Sequence, residues 1–139
     1  MNAEATHARL VLVDDNPAVL RQIIQVLPAE FEVVDTLEEG EELLATVERE
    51  QPDLIVLDIG LPGASGLVLA SRLAKAGSSA RIVFLTVHSD PDYVRAALRA
   101  GASGFVVKTR LSLDLEPALR AALTGKRFIS PIDGLEALE

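Results

Sequence analysis

Four apolar runs in this sequence end on residues that carry a carboxylate, a hydroxyl or an ammonium group. These residues are Asp14 with Asp15, Asp58, Thr86 and Lys108. A run that needed only solubility at its end could stop at any polar residue, so this set of groups points to chemistry. An aspartate such as Asp58, taken alone, could also cap a loop or form a salt bridge, and only the other run ends separate these interpretations.

The three carboxylates predict a metal site. Carboxylates within a few ångströms of one another raise each other's proton affinity unless a cation lies among them. Oxygen ligands, with no cysteine and no nearby pair of histidines, favour a hard ion such as Mg²⁺, which takes one or two carboxylates plus a substrate phosphate. A carboxylate, Mg²⁺ and a lysine are typical of phosphoryl transfer. We therefore predict that Asp58 is a nucleophile that forms an aspartyl-phosphate without a general base.

The elements that must position these groups alternate between β-branched runs and segments of helical period. The predicted strands are 9–13, 31–34, 54–57, 81–85 and 104–107, and the predicted helices are 17–27, 41–50, 66–76, 91–100 and 117–125. Pro17 and Pro91 suit the first turn of a helix. Gly77, Gly101 and Gly125 follow helical patterns at positions where a left-handed closing residue is favoured.

This alternation predicts a doubly wound α/β fold with a five-stranded parallel sheet and five helices on its two faces. The nearly unbroken apolar strands are of the kind that is buried on both faces. Folds of this class bind ligands at the carboxyl edge of the sheet. All the groups at the strand ends should therefore crowd one edge.

Four sequence segments resemble the receiver domain of bacterial response regulators, in the NarL/FixJ branch that precedes LuxR-type helix-turn-helix domains. They are "VLVDDNPAVLR", "DLIVLDIGLPGASGL", "IVFLTVHSDPDYVRAALRAGASGFVVK" and "GKRFISP". The resemblance covers about residues 9 to 131 and implies a flavodoxin-like (βα)5 fold. It also implies a phosphoacceptor switch that catalyses only its own phosphorylation and dephosphorylation.

The resemblance implies a role for each acidic residue. Asp14 and Asp15 form the acidic pair, Asp15 as a direct Mg²⁺ ligand and Asp14 through water. Asp58 is both the phosphoacceptor and a ligand, and the backbone carbonyl of Gly60 completes the protein's share of the ligands.

Three further residues match positions of the family pattern that respond to phosphorylation. Thr86 and Phe105 match the switch positions, and Lys108 matches the lysine that contacts the phosphate. Thr109 departs from the pattern, because many receivers have a proline in a cis peptide bond there. Without proline a cis bond is disfavoured, so we expect a different loop shape after the fifth strand.

The resemblance also predicts partners and a domain plan. We expect a tail at 1–8, the receiver at 9–125 and a linker segment at 126–139, followed in the resembled branch by a DNA-binding domain that this chain lacks. A sensor histidine kinase should supply the phosphoryl group. A homodimer could form through the fourth helix, fifth strand and fifth helix, the face that we expect to change on phosphorylation.

Composition excludes several functions. A net charge of −8 over 139 residues makes direct binding of nucleic acid unfavourable. The chain has no cysteine and therefore no disulfide framework. No apolar run approaches the roughly 20 residues of a membrane span, and the start lacks the apolar core of a signal peptide. We expect a soluble, cytoplasmic protein without membrane contact.

Three other functions share part of this pattern. A phosphohydrolase of the haloacid dehalogenase type also uses carboxylates at a parallel sheet edge, but it needs Asp-x-Asp after the first strand, where this chain has Asp14 next to Asp15. A receiver that stands alone and acts by protein contact is the second alternative. A binding-only pseudo-receiver would need a degraded site, whereas this set of residues is complete.

Overall fold

A computed structural model of the chain describes residues 7–63, 65–87 and 90–131, which form a parallel sheet covered by helices. The strands are β1 (Ala8–Val13), β2 (Phe31–Leu37), β3 (Leu54–Asp58), β4 (Arg81–Thr86), β5 (Gly104–Val107) and β6 (Phe128–Ile129). The helices are α1 (Pro17–Val26), α2 (Leu43–Glu50), α3 (Gly66–Lys75), α4 (Pro91–Arg99) and α5 (Leu111–Leu123). Two short 3₁₀ turns, Gly40–Glu42 and Lys108–Arg110, precede α2 and α5.

The sheet has the strand order β2-β1-β3-β4-β5-β6, and every neighbouring pair is parallel. The chain winds outward in one direction from β1 to β2 and in the other from β3 to β6, so the winding reverses between β1 and β3. The loops after these two strands diverge and leave a crevice, which is where this fold class binds ligands. The prediction of a doubly wound α/β fold is confirmed.

Side chains on successive strand residues point to opposite faces of the sheet, and both faces are buried. On β1, Leu10 and Leu12 join a core with α1 and α5, while Val11 and Val13 join a core with α2, α3 and α4. All four side chains are at most 1% exposed. This double burial explains why the strands read as continuous apolar runs rather than as alternating patterns.

The predicted helix boundaries agree with local capping. The side chains of Asn16 and Asp90 accept hydrogen bonds from the first turns of α1 and α4, and Pro17 and Pro91 follow them as the first helical residues. Gly77 closes α3 with a φ of 85°, in the left-handed region that favours glycine. These local signals explain why the first four helices lie close to their predicted positions.

The predicted start of the fifth helix, at residue 117, is wrong, because α5 begins six residues earlier at Leu111. Pro117 lies inside the helix instead of opening it. Proline has no N–H, so the carbonyl of Leu113 has no donor within the helix. Leu113 is 68% exposed, so water can satisfy this carbonyl. Leu111 and Leu115 are fully buried against the sheet, and this packing outweighs the cost of the proline.

The sheet has six strands rather than the predicted five. β6 is a two-residue strand that pairs with β5, with Gly104 opposite Phe128 and Phe105 opposite Ile129. It lies in the segment predicted as a linker, and β1 begins at Ala8, the last residue of the predicted tail. Residues 1–6 and 132–139 of these two predicted segments lie outside the described residues.

No helix in the described ranges is long and apolar enough to cross a bilayer.

Candidate functional site

The site lies at the carboxyl edge of the sheet, where β1 and β3 are neighbours. Val13 is in register with Leu57, so the residues that follow on each strand, Asp14 and Asp58, come side by side. Carboxylate oxygens of Asp14, Asp15 and Asp58 lie within 4.8 Å of one another. The structure thus brings together the three carboxylates that the sequence predicted to meet.

The two adjacent aspartates after β1 have different environments. Asp14 is completely buried, whereas Asp15 is exposed. The backbone N–H of Asn16 donates to Asp14 Oδ1 over 2.9 Å. Burial raises the pKa of Asp14, and this effect outweighs the neighbouring Lys108 and the Asn16 hydrogen bond, which lower the pKa. The protein therefore holds a partly destabilised carboxylate at the bottom of the site.

Lys108 connects β5 to the carboxylates. Its Nζ lies 2.7 Å from Asp14 Oδ2 and 3.3 Å from Asp58 Oδ2. Both contacts are ion pairs, and the contact with Asp58 also has hydrogen-bond geometry. Burial acts to lower the pKa of Lys108, but the two carboxylates more than offset it, so this pKa lies above its ordinary value.

The loop after β3 fixes the orientation of Asp58. The side chain is almost buried, and its Oδ1 accepts the backbone N–H of Gly60 over 2.9 Å. The backbone N–H of Ile59 bonds to the carbonyl of Leu85 on β4, which keeps the loop in line with the sheet. One carboxylate oxygen is therefore held by the loop and the other faces Lys108.

Gly66 packs against the backbone of Asp58, and the sequence analysis does not identify it as part of the site. It is the first residue of α3, next to the capping Ser65, and a Cβ there would overlap the carbonyl oxygen of Asp58 and come within 3.0 Å of Ile59 Cα. Only glycine lets the helix approach the loop this closely. Its place within the "GASGL" segment was the available signal.

The two predicted switch residues lie on neighbouring strands. Thr86 is the last residue of β4, is 1% exposed, and is in register with Val107, the residue before Lys108. Phe105 is completely buried, in register with Phe84, within the core that faces α2, α3 and α4. The structure brings Thr86 to the site edge and places Phe105 one strand away in the core, and their switch roles stay predictions.

The turn after β5 contains Thr109, which stands where many receivers have a proline in a cis peptide bond. No cis peptide bond occurs in the part of the chain that the structure describes, so the Lys108–Thr109 bond is trans. Residues Lys108–Arg110 form a single 3₁₀ turn that leads directly into α5. The backbone therefore presents Lys108 to the carboxylates without a proline.

The donor set fits a hard divalent cation. All three candidate ligands offer carboxylate oxygen, which is the preference of Mg²⁺ and Ca²⁺. Among the described residues the buried Oδ2 of Asp14 is contacted by the Lys108 ammonium, and as a carboxylate oxygen it can also accept a hydrogen bond from a water of a hydrated ion. Asp15 also borders an open hollow of about 700 Å³ with Glu38, Glu39 and Arg72.

Comparison with known proteins agrees with this geometry. The family model of the response regulator receiver domain matches residues 10–120. The oxygen regulatory protein NreC of Staphylococcus carnosus is 32% identical over 126 residues, and the nitrate/nitrite response regulator protein NarL of Escherichia coli K12 is 34% identical over 126 residues. Both alignments cover 88% of this chain but 58% of the relative, so the chain spans about three fifths of their length.

Solved structures give the same result. A two-component response regulator of the LuxR family from Aurantimonas sp. SI85-9A1 has a TM-score of 0.85 at 32% identity, covering 96% of this chain and 100% of that one. The isolated receiver domain of RcsB from Salmonella enterica serovar Typhimurium, with a phosphomimetic BeF₃⁻, has a TM-score of 0.85 at 26% identity, covering 96% and 99%. The resemblance found in the sequence is confirmed, and this chain belongs to the response regulator receiver domain family.

Proposed function

We propose that this chain is a phosphorylation-controlled switch in which Asp58 accepts a phosphoryl group from the phosphohistidine of a sensor histidine kinase or from a small phosphodonor. One observation carries the proposal: Lys108 Nζ lies within 3.3 Å of Asp58 Oδ2 at the edge of a cluster of three carboxylates. A nucleophilic carboxylate, oxygen ligands for a cation and a fixed ammonium are the parts that phosphoryl transfer to an aspartate requires.

The cation in this proposal is Mg²⁺. Asp15 and Asp58 would ligate it with the backbone carbonyl of Gly60, and Asp14 would contact it through water. Bound Mg²⁺ neutralises charge on the phosphoryl oxygens and helps to align the donor. The exposed position of Asp15 supports this assignment, because Mg²⁺ keeps several waters and enters from solvent.

The transfer itself is a displacement at phosphorus. A carboxylate oxygen of Asp58 forms a bond to phosphorus while the bond to the leaving group breaks, and the electron pair leaves with the imidazole of the donor histidine or with acetate. Lys108 faces the same carboxylate and stabilises the negative charge on the transferring oxygens. Water later attacks the phosphorus, the bond from phosphorus to the Asp58 oxygen breaks, and inorganic phosphate leaves as the carboxylate is restored.

Phosphorylation changes the electrostatics around Lys108. In the unphosphorylated protein the ammonium is shared between Asp14 and Asp58. A phosphoryl group on Asp58 would bring extra negative charge and new hydrogen-bond acceptors to this place. Lys108 and the hydroxyl of Thr86 would move toward it, and Phe105 would adjust behind Thr86 because β4 and β5 are neighbours.

The response is a shift in population between two packings of the face formed by α4, β5 and α5. Added charge can only bias a two-state element that already exists. This face could also form a homodimer in the active state. The two packings are supported by the small side chains in and just after α4, at Ala96, Ala97 and Ala100. Small side chains let a helix slide over the sheet.

The switch would control a LuxR-type DNA-binding domain outside this chain. The relatives NreC and NarL carry the names of regulatory proteins and are longer than the matched region. A net charge of −8 also makes DNA contact through the receiver itself unfavourable. A receiver that acts alone by protein contact is the alternative, and a downstream segment in the encoding frame would distinguish the two.

The test of phosphorylation is the intact mass of the chain before and after incubation with acetyl phosphate and Mg²⁺. We expect one phosphate per chain, dependent on Mg²⁺. Asp58→Asn should abolish the gain, since the amide keeps the shape of the side chain but is not a nucleophile. Asp92→Asn, which changes an exposed aspartate on α4, should retain it. A gain that persists in Asp58→Asn would exclude Asp58 as the acceptor.

A further inference from the structure

The segment after α5 is attached directly to β5, the strand that carries Phe105 and ends next to Lys108. Ser130, just beyond β6, is completely buried. Its backbone N–H donates to the carbonyl of Phe105 over 2.9 Å, and its Oγ accepts the backbone N–H of Val107 over 3.1 Å. One serine thus bonds two alternate residues of β5 through both its backbone and its side chain.

The Ser130 hydroxyl also bonds to the buried carboxylate of an ion pair whose arginine is partly exposed. It donates to Asp114 Oδ2 over 2.7 Å, and the same oxygen accepts Nε–H of Arg110 over 2.7 Å. The Asp114 side chain is only 6% exposed. Buried networks in which every member has its partner hold a single geometry, because each broken hydrogen bond leaves a buried polar group unsatisfied.

This network fixes residues on both sides of Lys108 in the sequence. Val107, immediately before Lys108, is held by Ser130, while Arg110, two residues after it, is held by Asp114. The 3₁₀ turn Lys108–Arg110 is therefore held at both ends by groups that meet at the Ser130 hydroxyl. The position of the Lys108 backbone depends on a residue that is 22 positions further along the sequence.

We propose that Ser130 is a positioning residue for Lys108 and that it couples the C-terminal segment 128–131 to the phosphorylation site. This inference rests on the proposed function of Asp58 and Lys108. Coupling between two sites is reciprocal. A movement of Lys108 toward a phosphoryl group changes how strongly β5 binds the segment 128–131. In the other direction, displacement of this segment by a domain that follows it changes the rate at which Asp58 is phosphorylated.

The test compares three variants of the whole chain. Ser130→Ala removes the hydroxyl, Ser130→Thr restores it, and Ser71→Ala removes an exposed serine on α3 as the control. The first measurement uses the unphosphorylated protein, by NMR: the Lys108 Cε resonance and the exchange rate of the Val107 amide. The second measures the initial rate of phosphorylation by acetyl phosphate together with Mg²⁺ affinity.

We expect Ser130→Ala to shift the Lys108 resonance, to speed Val107 amide exchange and to lower the phosphorylation rate by about fivefold or more. Mg²⁺ affinity should change much less than the rate, because Lys108 contacts Asp14 and Asp58 but is not itself a ligand. Ser130→Thr should recover part of the rate. If Ser130→Ala does not fold, Asp114→Asn disturbs the same network and carries the same measurements.

Two results would overturn the coupling. One is a Lys108 resonance and Val107 exchange that match the parent in a folded Ser130→Ala protein. The other is an equal loss of rate and Mg²⁺ affinity, which would indicate general damage to the site. Failure of the proposed function has a different signature, namely a parent chain that gains no phosphate, and the NMR comparison decides the positioning role in that case too.

Discussion

The ammonium nitrogen of Lys108 lies 3.3 Å from Oδ2 of Asp58, although 50 positions separate the two residues in the sequence. Asp58 ends β3, and Lys108 directly follows β5, with β4 between the two strands, so the lysine side chain must extend across the end of β4. The contact exists because parallel strands end at one edge of the sheet and because a 3₁₀ turn directs Lys108 back toward the carboxylates. An ammonium placed this close to the nucleophilic oxygen is suited to stabilise the negative charge that develops during phosphoryl transfer.

Replacement of Lys108 should therefore slow phosphorylation strongly. In Lys108→Ala we expect the initial rate with acetyl phosphate to fall by about a hundredfold, the effect of losing one fixed charge stabiliser. Asp58 remains, so phosphate should still accumulate slowly. Lys75→Ala, at an exposed position on α3, is the control and should keep the parent rate. A parent-like rate in Lys108→Ala would remove the lysine from the transfer step.

Removal of Asp15 should weaken the metal site. In Asp15→Ala we expect most of the Mg²⁺ affinity to be lost, because the ion has few protein ligands here. Titration calorimetry or a fluorescent competitor measures the affinity. Glu39→Ala, which removes another exposed carboxylate bordering the same hollow, tests whether charge alone explains the loss. Equal affinities in Asp15→Ala and the parent would contradict the ligand assignment.

Thr86 should be needed for the response but not for phosphorylation. The chain has one tyrosine, Tyr93 on α4, and no tryptophan, so intrinsic fluorescence reports on that helix alone. We expect Thr86→Ala to accept phosphate yet to lose the Tyr93 fluorescence change of the parent, whereas Thr86→Ser, which keeps the hydroxyl, should retain it. A full change in Thr86→Ala would exclude the hydroxyl from the coupling.

Most of the sheet could be predicted from the sequence because the signals for it are local. Apolar runs identify strands buried on both faces, and their polar ends mark the edge where the carboxylates meet. The start of α5 was missed because Pro117 is a strong local signal for a first helical turn, and the packing of Leu111 and Leu115 on the sheet overrides it. Local preference is outweighed there by tertiary contacts.

The residues that position the reactive groups are harder to predict from the sequence than the reactive groups themselves. Asp114 reads as an ordinary polar residue and Ser130 as part of a linker, yet both are buried in one hydrogen-bond network. Arg110 and Asp114 have the i, i+4 spacing of a helical ion pair, but Ser130 lies 16 positions after Asp114 and outside α5, so no spacing in the sequence indicates that contact. In the same way, Asp14 and Asp15 are adjacent in sequence, and only the fold makes one buried and the other exposed.

Gly66 should tolerate no side chain. An added Cβ would overlap the carbonyl oxygen of Asp58, so Gly66→Ala should force α3 away from the loop and reduce the free energy of unfolding by about 1–3 kcal/mol. Gly60→Ala is the matched comparison in the same loop, because its Cβ would meet no atom closer than 3.7 Å. Urea denaturation measures both, and equal losses would contradict the role of close approach at Gly66.

The last prediction concerns the pH dependence of the Asp114 network. Burial acts to raise the pKa of Asp114, but hydrogen bonds from Arg110 and Ser130 outweigh it, so this pKa lies below its ordinary value. A lowered pKa in the folded state stabilises the protein above the ordinary value of about 3.9, and this contribution is lost as the pH falls through the folded-state pKa. At pH 7, Asp114→Asn should lower the free energy of unfolding by about 1–3 kcal/mol.

The difference between the parent and Asp114→Asn should therefore be constant near neutral pH and shrink below about pH 4. Urea denaturation from pH 7 to pH 3 measures it. Asp14, whose pKa is raised by burial, contributes with the opposite sign, but it is present in both proteins and cancels in the difference. Glu116→Gln, which removes a half-exposed partner of Arg120, should change stability by less than about 0.5 kcal/mol. A difference for Asp114→Asn that grows as the pH falls would show that the network does not favour the ionised carboxylate.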